Sequence, residues 1–128
     1  METKVLYHGT TGDAILGMIG SGTILPSLGK VYFSEWNWQS VLMHGADRAR
    51  GAAFAVKLAV QLPDGAGRFA TKTPGVADTL VVMTNEPLQV EVLELFARRP
   101  TADGMQVDQI KGVQLIRSYL LAAAKAGA

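Results

Sequence analysis

Leu6-Tyr7-His8-Gly9-Thr10 and Lys30-Val31-Tyr32-Phe33-Ser34 are the two stretches on which the reading of the fold turns. Each reads as a short strand ending in residues able to hold a ligand. The first supplies an imidazole, a glycine and a hydroxyl; the second supplies the ring of Tyr32. Between them, Thr11-Gly12-Asp13 opens a helix with Asp13 as its cap. Ala14, Ile15, Met18 and Ile19 share one face of that helix, and Gly20-Ser21-Gly22 stops it. Ile24 and Leu25 form a short extended piece before Pro26.

Outward from this start, Trp36 to Arg50 reads as a helix with Trp38, Val41, Leu42 and Ala46 directed to a core, ended by Gly51. Ala53 to Gln61 alternates as a strand does, with Phe54, Val56, Leu58 and Val60 on one face. Pro63 to Val76 is rich in glycine and proline and reads as one long irregular segment, a length that usually marks a functional or mobile loop. Thr79 to Met83 and Leu88 to Phe96 are two further strands, separated by Asn85-Glu86-Pro87. Proline donates no ladder hydrogen bond, so Pro87 marks an edge, a bulge or a strand start. Arg98 to Gly104 reads as a turn. Val107 to Lys125 reads as a closing helix, with Ile110, Val113, Leu115 or Ile116, and Leu120 facing inward. The expectation is an α+β fold, with strands near 4–7, 30–34, 53–61, 78–84 and 87–96 and helices near 11–20, 36–50 and 107–125. The sheets are expected to be a split antiparallel pair with the helices packed outside.

Composition narrows the function classes. A chain of 128 residues fits one domain, 1–128, and 48% apolar content is ample for one core. With no cysteine, disulfides, thiolate metal sites and a cysteine nucleophile are excluded. The two histidines, His8 and His44, and the lack of a carboxylate-rich loop leave no standard metal set. A net charge of +1 without a basic run does not demand tight electrostatic binding to nucleic acid. No run of about 18 apolar residues suggests a membrane span, and Met1-Glu2-Thr3-Lys4 leads straight into a strand without a signal-peptide pattern. A cytoplasmic location, or delivery into a target cell, is therefore expected.

Taken in order, Tyr7-His8-Gly9-Thr10, then Val31-Tyr32-Phe33-Ser34 followed by a helix, then Asn85-Glu86 by a late strand, resemble the ADP-ribosyltransferase superfamily. The likeness is to its histidine–tyrosine–glutamate branch, which includes diphtheria-type toxins and poly(ADP-ribose) polymerases, and it covers roughly residues 4 to 96. A narrower likeness joins Tyr7 to Thr10, the strand at Tyr32 and Thr84 to Val90 to the small rifamycin ADP-ribosyltransferases. Pro63 to Val76 does not match that group's acidic, asparagine-bearing loop.

The resemblance implies a domain that cleaves NAD and transfers ADP-ribose without a metal, either as a small bacterial toxin or effector or as a small-molecule modifier. His8 would fix a ribose hydroxyl. The Gly9 backbone would approach the carboxamide of nicotinamide, and Thr10 would add a ribose contact. Tyr32 would stack on the nicotinamide ring. Ser40, eight residues after Tyr32, would contact the nicotinamide amide, as a serine at that offset does in the polymerase branch. Glu86 would stabilise the oxocarbenium-like charge as nicotinamide leaves. The acceptor is left open among protein, nucleic acid and small molecule, and a toxin would require an antitoxin or immunity partner.

Plainer readings stand beside these. His8 alone reads as a structural histidine, Tyr32 as a core aromatic, and Glu91 and Glu94 compete with Glu86 or face solvent. Trp36, Trp38 and His44 read as packing or surface residues. Arg48 and Arg50 suit a solvated helix end, with the cofactor's diphosphate as the alternative. RNA 2′-phosphotransferases share only the His-Gly-Thr segment, and Thr84 stands where arginine-specific toxins carry a second glutamate. A non-catalytic module that binds NAD or an ADP-ribosyl group is the alternative from another class.

Overall fold

The computed structural model describes residues 2–34, 54–64, 67–71 and 79–126. These residues form eight strands and two helices, an α+β arrangement in which every recorded strand pairing is antiparallel. The strands are β1 (Glu2–Thr10), β2 (Thr23–Ile24), β3 (Lys30–Ser34), β4 (Phe54–Leu62), β5 (Gly67–Thr71), β6 (Thr79–Met83), β7 (Leu88–Thr101) and β8 (Gly104–Lys111). The helices are α1 (Gly12–Ser21) and α2 (Val113–Ala126).

Neighbouring strands follow the order β2-β7-β4-β1-β3-β6-β5, with β8 on the remaining part of β7. The expected split pair of sheets is instead one hydrogen-bonded path that curls. Length explains the difference. The 14 residues of β7 reach β2 at Leu88 and Gln89, β4 from Val90 to Ala97, and β8 from Glu94 to Thr101, so one strand serves both ends. A register shift between Lys57 and Leu58 of β4 supplies local bending where β4 runs along β7.

Along β4, Val56, Leu58 and Val60 are fully buried as the alternation implies, whereas Phe54 is half-buried and Ala55 on the other face is buried as well. They join Leu6, Val82, Leu88 and Leu95 in a core covered on one side by Ile15 and Met18 of α1 and Ile116 and Leu120 of α2. Each such side chain contributes roughly 1.5–3 kcal/mol when buried. The choice between Leu115 and Ile116 is settled by exposure, 65% against 0%.

Several boundaries differ from the sequence reading. The cap of α1 is Thr11 rather than Asp13: the Ala14 amide donates to Thr11 Oγ1 at 3.2 Å, and Asp13 sits in the first turn. The stop is as expected, with Gly22 at φ 69° and its amide donating to Met18 O at 2.8 Å. Pro87 proves to precede a strand start, since β7 begins at Leu88. The segment read as irregular from Pro63 to Val76 contains β5, hydrogen-bonded along β6 from Gly67 to Thr71.

The largest correction is at residues 98–111. They are not a turn and a helix start; they are the end of β7 and all of β8, joined by a tight turn in which Thr101 pairs with Gly104. Val107, Ile110 and Val113 have helical spacing, but Ile110 pairs with Leu95 across the ladder and supplies a packed neighbour to the core. Gly112, at φ 94°, makes the corner, and α2 begins only at Val113. The expected helix at 36–50, and with it Ser40, Trp36, Trp38, His44, Arg48 and Arg50, lies outside the described residues.

Candidate functional site

β1 and β3 meet at a single recorded pair, Tyr7 with Ser34. Beyond it, toward the C-terminal end of β1, the ladder stops although both strands continue. On its other edge β1 stays paired with β4 through Thr10, so the opening is specific to the β1–β3 side. Here a cleft of about 880 Å³ forms, a size within the roughly 300–1,000 Å³ typical of small-molecule sites. One wall is His8, Gly9 and Thr10 with the α1 residues Ala14, Gly17 and Met18; the other is Lys30, Val31 and Tyr32 with Leu25, Ser27 and Leu28.

His8 bridges the two walls. Its Nδ1 lies 2.7 Å from the carbonyl oxygen of Tyr32. A carbonyl only accepts, so Nδ1 carries the proton and donates. In the neutral ring, Nε2 is then the acceptor nitrogen; in the imidazolium it is a second donor. The imidazole also lies 5.6 Å from the ring of Phe33, tilted by 56°, and Phe33 is 1% exposed. A rigid core aromatic and a backbone carbonyl thus fix both the plane and the tautomer of His8.

Tyr32 is half-buried on the cleft wall. The ammonium of Lys30, two residues earlier on the same strand face, stands 5.7 Å from the centroid of its ring. Lys30 brings the one permanent formal charge among the described lining residues, and no aspartate or glutamate is among them.

Glu86 sits on the connection between β6 and β7, exposed and not among the cleft-lining residues. Its amide donates to Thr84 Oγ1 at 3.1 Å. That connection abuts the far wall: the Thr84 amide donates to Gly29 O at 2.9 Å, and Asn85 Oδ1 is 3.1 Å from where a side chain on Gly29 would begin. Of the competing carboxylates, Glu91 is exposed. Glu94 is only 7% exposed and pairs with Lys57 on one side and Lys111 on the other.

The structure therefore gathers His8, Gly9, Thr10 and Tyr32 at one opening and sets Glu86 on the adjoining turn. Sequence reasoning missed Lys30 as a lining residue; its i, i+2 relation to Tyr32 on a strand was the available signal. It also missed the hydroxyls of Thr11, Ser21, Thr23 and Ser27 that share the cleft. Among the described residues no group of three histidines, cysteines or carboxylates is placed to hold a metal ion. No helix among them is long and apolar enough to cross a membrane. Comparison with protein-family models, curated proteins and solved structures gave no match.

Proposed function

We propose that the chain is a mono-ADP-ribosyltransferase with an ADP-ribosyltransferase-like fold, and that the β1–β3 cleft takes NAD. The observation that carries this reading is the 2.7 Å hydrogen bond from His8 Nδ1 to the Tyr32 backbone carbonyl, which sets both residues on an opening that Gly9 and Thr10 also line. In the proposed reaction the bond between the ribose C1′ and the nicotinamide nitrogen breaks, and the bonding pair leaves with nicotinamide. An acceptor nucleophile then bonds to C1′ and loses its proton. His8 Nε2 engages a ribose hydroxyl, the Gly9 backbone meets the carboxamide, and Tyr32 stacks on the ring. Glu86, on the turn against the far wall, turns its exposed side chain toward the ribose as positive charge grows. The acceptor is macromolecular in this reading, as for a toxin or effector that needs a protecting partner.

A second reading has a specific observation in its favour. No carboxylate stands among the described residues lining the cleft, and this suits a module that binds NAD or an ADP-ribosyl group without cleaving it. Incubation with NAD separates the two. Nicotinamide release, with a mass gain of one ADP-ribosyl unit on a component of a protein, RNA or small-molecule fraction, is the expected result. Saturable NAD binding without nicotinamide release would select the binding module. No NAD binding by calorimetry would overturn both.

A further inference from the structure

We propose that Lys30 is a phosphate-binding residue of this cleft, so that the ligand's negative charge rather than its flat ring is what Lys30 recognises; this rests on the reading of the cleft as an NAD site. Three observations lead there. Lys30 carries the one permanent formal charge among the described lining residues. It is held on the same wall as Tyr32, with its ammonium 5.7 Å from the ring centroid. Ser27 on that wall and Thr10 and Thr11 across the cleft add hydroxyl donors to the same space.

The nicotinamide ring of NAD is itself a cation, and a second positive charge brought to the Tyr32 ring repels the ammonium in a partly desolvated site. Stacking on Tyr32 therefore loosens the hold of the ring on the ammonium. The flexible four-carbon stem of lysine lets the charge move while the backbone stays fixed in β3. The groups of the ligand that attract it are the phosphates next to the ribose, and lysine serves as a point-charge partner for phosphate. Tyr32 thus holds Lys30 within the cleft before binding, and the dinucleotide takes it over.

The test is calorimetric titration of the full chain and its variants with NAD, with nicotinamide mononucleotide, and with nicotinamide riboside, which has no phosphate. Lys30→Met is expected to weaken NAD and the mononucleotide about tenfold and to leave the riboside unchanged or bound more tightly, because the like charge beside Tyr32 is gone. Lys30→Arg keeps the charge and is expected to restore most of the affinity. Raising the salt concentration is expected to weaken NAD binding to the wild type and to affect Lys30→Met much less. Equal weakening of all three ligands by Lys30→Met would overturn the proposal, because Lys30 would then act through the Tyr32 ring. Unchanged NAD affinity in Lys30→Met would overturn it as well, while leaving the NAD reading intact. If none of the three bound the wild type, the NAD reading itself would fall, and the phosphate assignment with it.

Discussion

His8 has two tasks that a single substitution can separate. Its Nδ1–H closes the end of the β1–β3 ladder on the Tyr32 carbonyl, and in the proposed mechanism its Nε2 meets the ribose. A net intramolecular hydrogen bond contributes about 0.5–1.5 kcal/mol. His8→Ala is therefore expected to lower stability by about that amount in denaturant titrations and to abolish nicotinamide release. An alanine variant with unchanged turnover would remove His8 from the proposed mechanism. Leu28 is the other residue that the fold treats unusually. It is 94% exposed at φ 54°, on the cleft wall, next to Gly29 at φ 77°. Left-handed backbone costs an ordinary L-residue roughly 1–2 kcal/mol, asparagine less, and β-branched residues most. Leu28→Asn is expected to keep or slightly raise the melting temperature, whereas Leu28→Val lowers stability by about 1 kcal/mol. Equal effects of the two would show that this turn relaxes when leucine is removed.

At the scale of elements, what the sequence shows and what it hides follow from which forces are local. The α1 stop, the strand start after Pro87 and the buried face of β4 depend on glycine, proline and alternation, and all are legible. The cap was misplaced by two residues because Thr11 and Asp13 are both good caps and only geometry separates them. β8 is hidden because Val107 and Ile110, three residues apart, share a face only on a helix and stand on opposite faces of a strand. What decides is the partner strand, with Leu95 opposite Ile110 and Phe96 opposite Gln109. A signal was present: Asp103-Gly104 between two strand-like runs is a hairpin mark. Gly104 has φ 130°, a region that side chains disfavour. Gly104→Ala is thus expected to destabilise by roughly 1–3 kcal/mol, measured by urea unfolding, without loss of ligand affinity in the folded protein. Of the candidate site, the gathering of His8, Gly9, Thr10 and Tyr32 at one cleft is legible because one strand end and one neighbouring strand present them together. The place of Glu86 was not, since a carboxylate's distance from a cleft depends on how the β6–β7 turn sits against Gly29.

At the scale of the whole molecule, the core lies along the continuously paired strands, and the cleft lies where the pairing of β1 with β3 ends. The opening exists because β1 keeps β4 through Thr10, whereas among the described residues its pairing with β3 ends at Tyr7 and Ser34. Support for β1 is independent of the cleft, so stability and catalysis should separate among the three candidate carboxylates. Glu94 is buried on β7 with lysines as both cross-strand neighbours, whereas Glu86 and Glu91 are exposed. Opposite charges across a ladder contribute roughly 0.2–1 kcal/mol each. Glu94→Gln is therefore expected to lower the melting temperature and leave the turnover of the folded protein unchanged. Glu86→Gln removes a charge from an exposed turn and is expected to leave the melting temperature unchanged. If Glu86 meets growing charge on the ribose, its loss should act on the transition state: single-turnover nicotinamide release falls roughly 10²-fold while NAD affinity changes little. Glu91→Gln, exposed and opposite Ala59, is expected to change neither quantity. Turnover lost in Glu91→Gln or Glu94→Gln but kept in Glu86→Gln would move the catalytic role onto β7. Turnover kept in all three would mean that no carboxylate of this region assists bond cleavage.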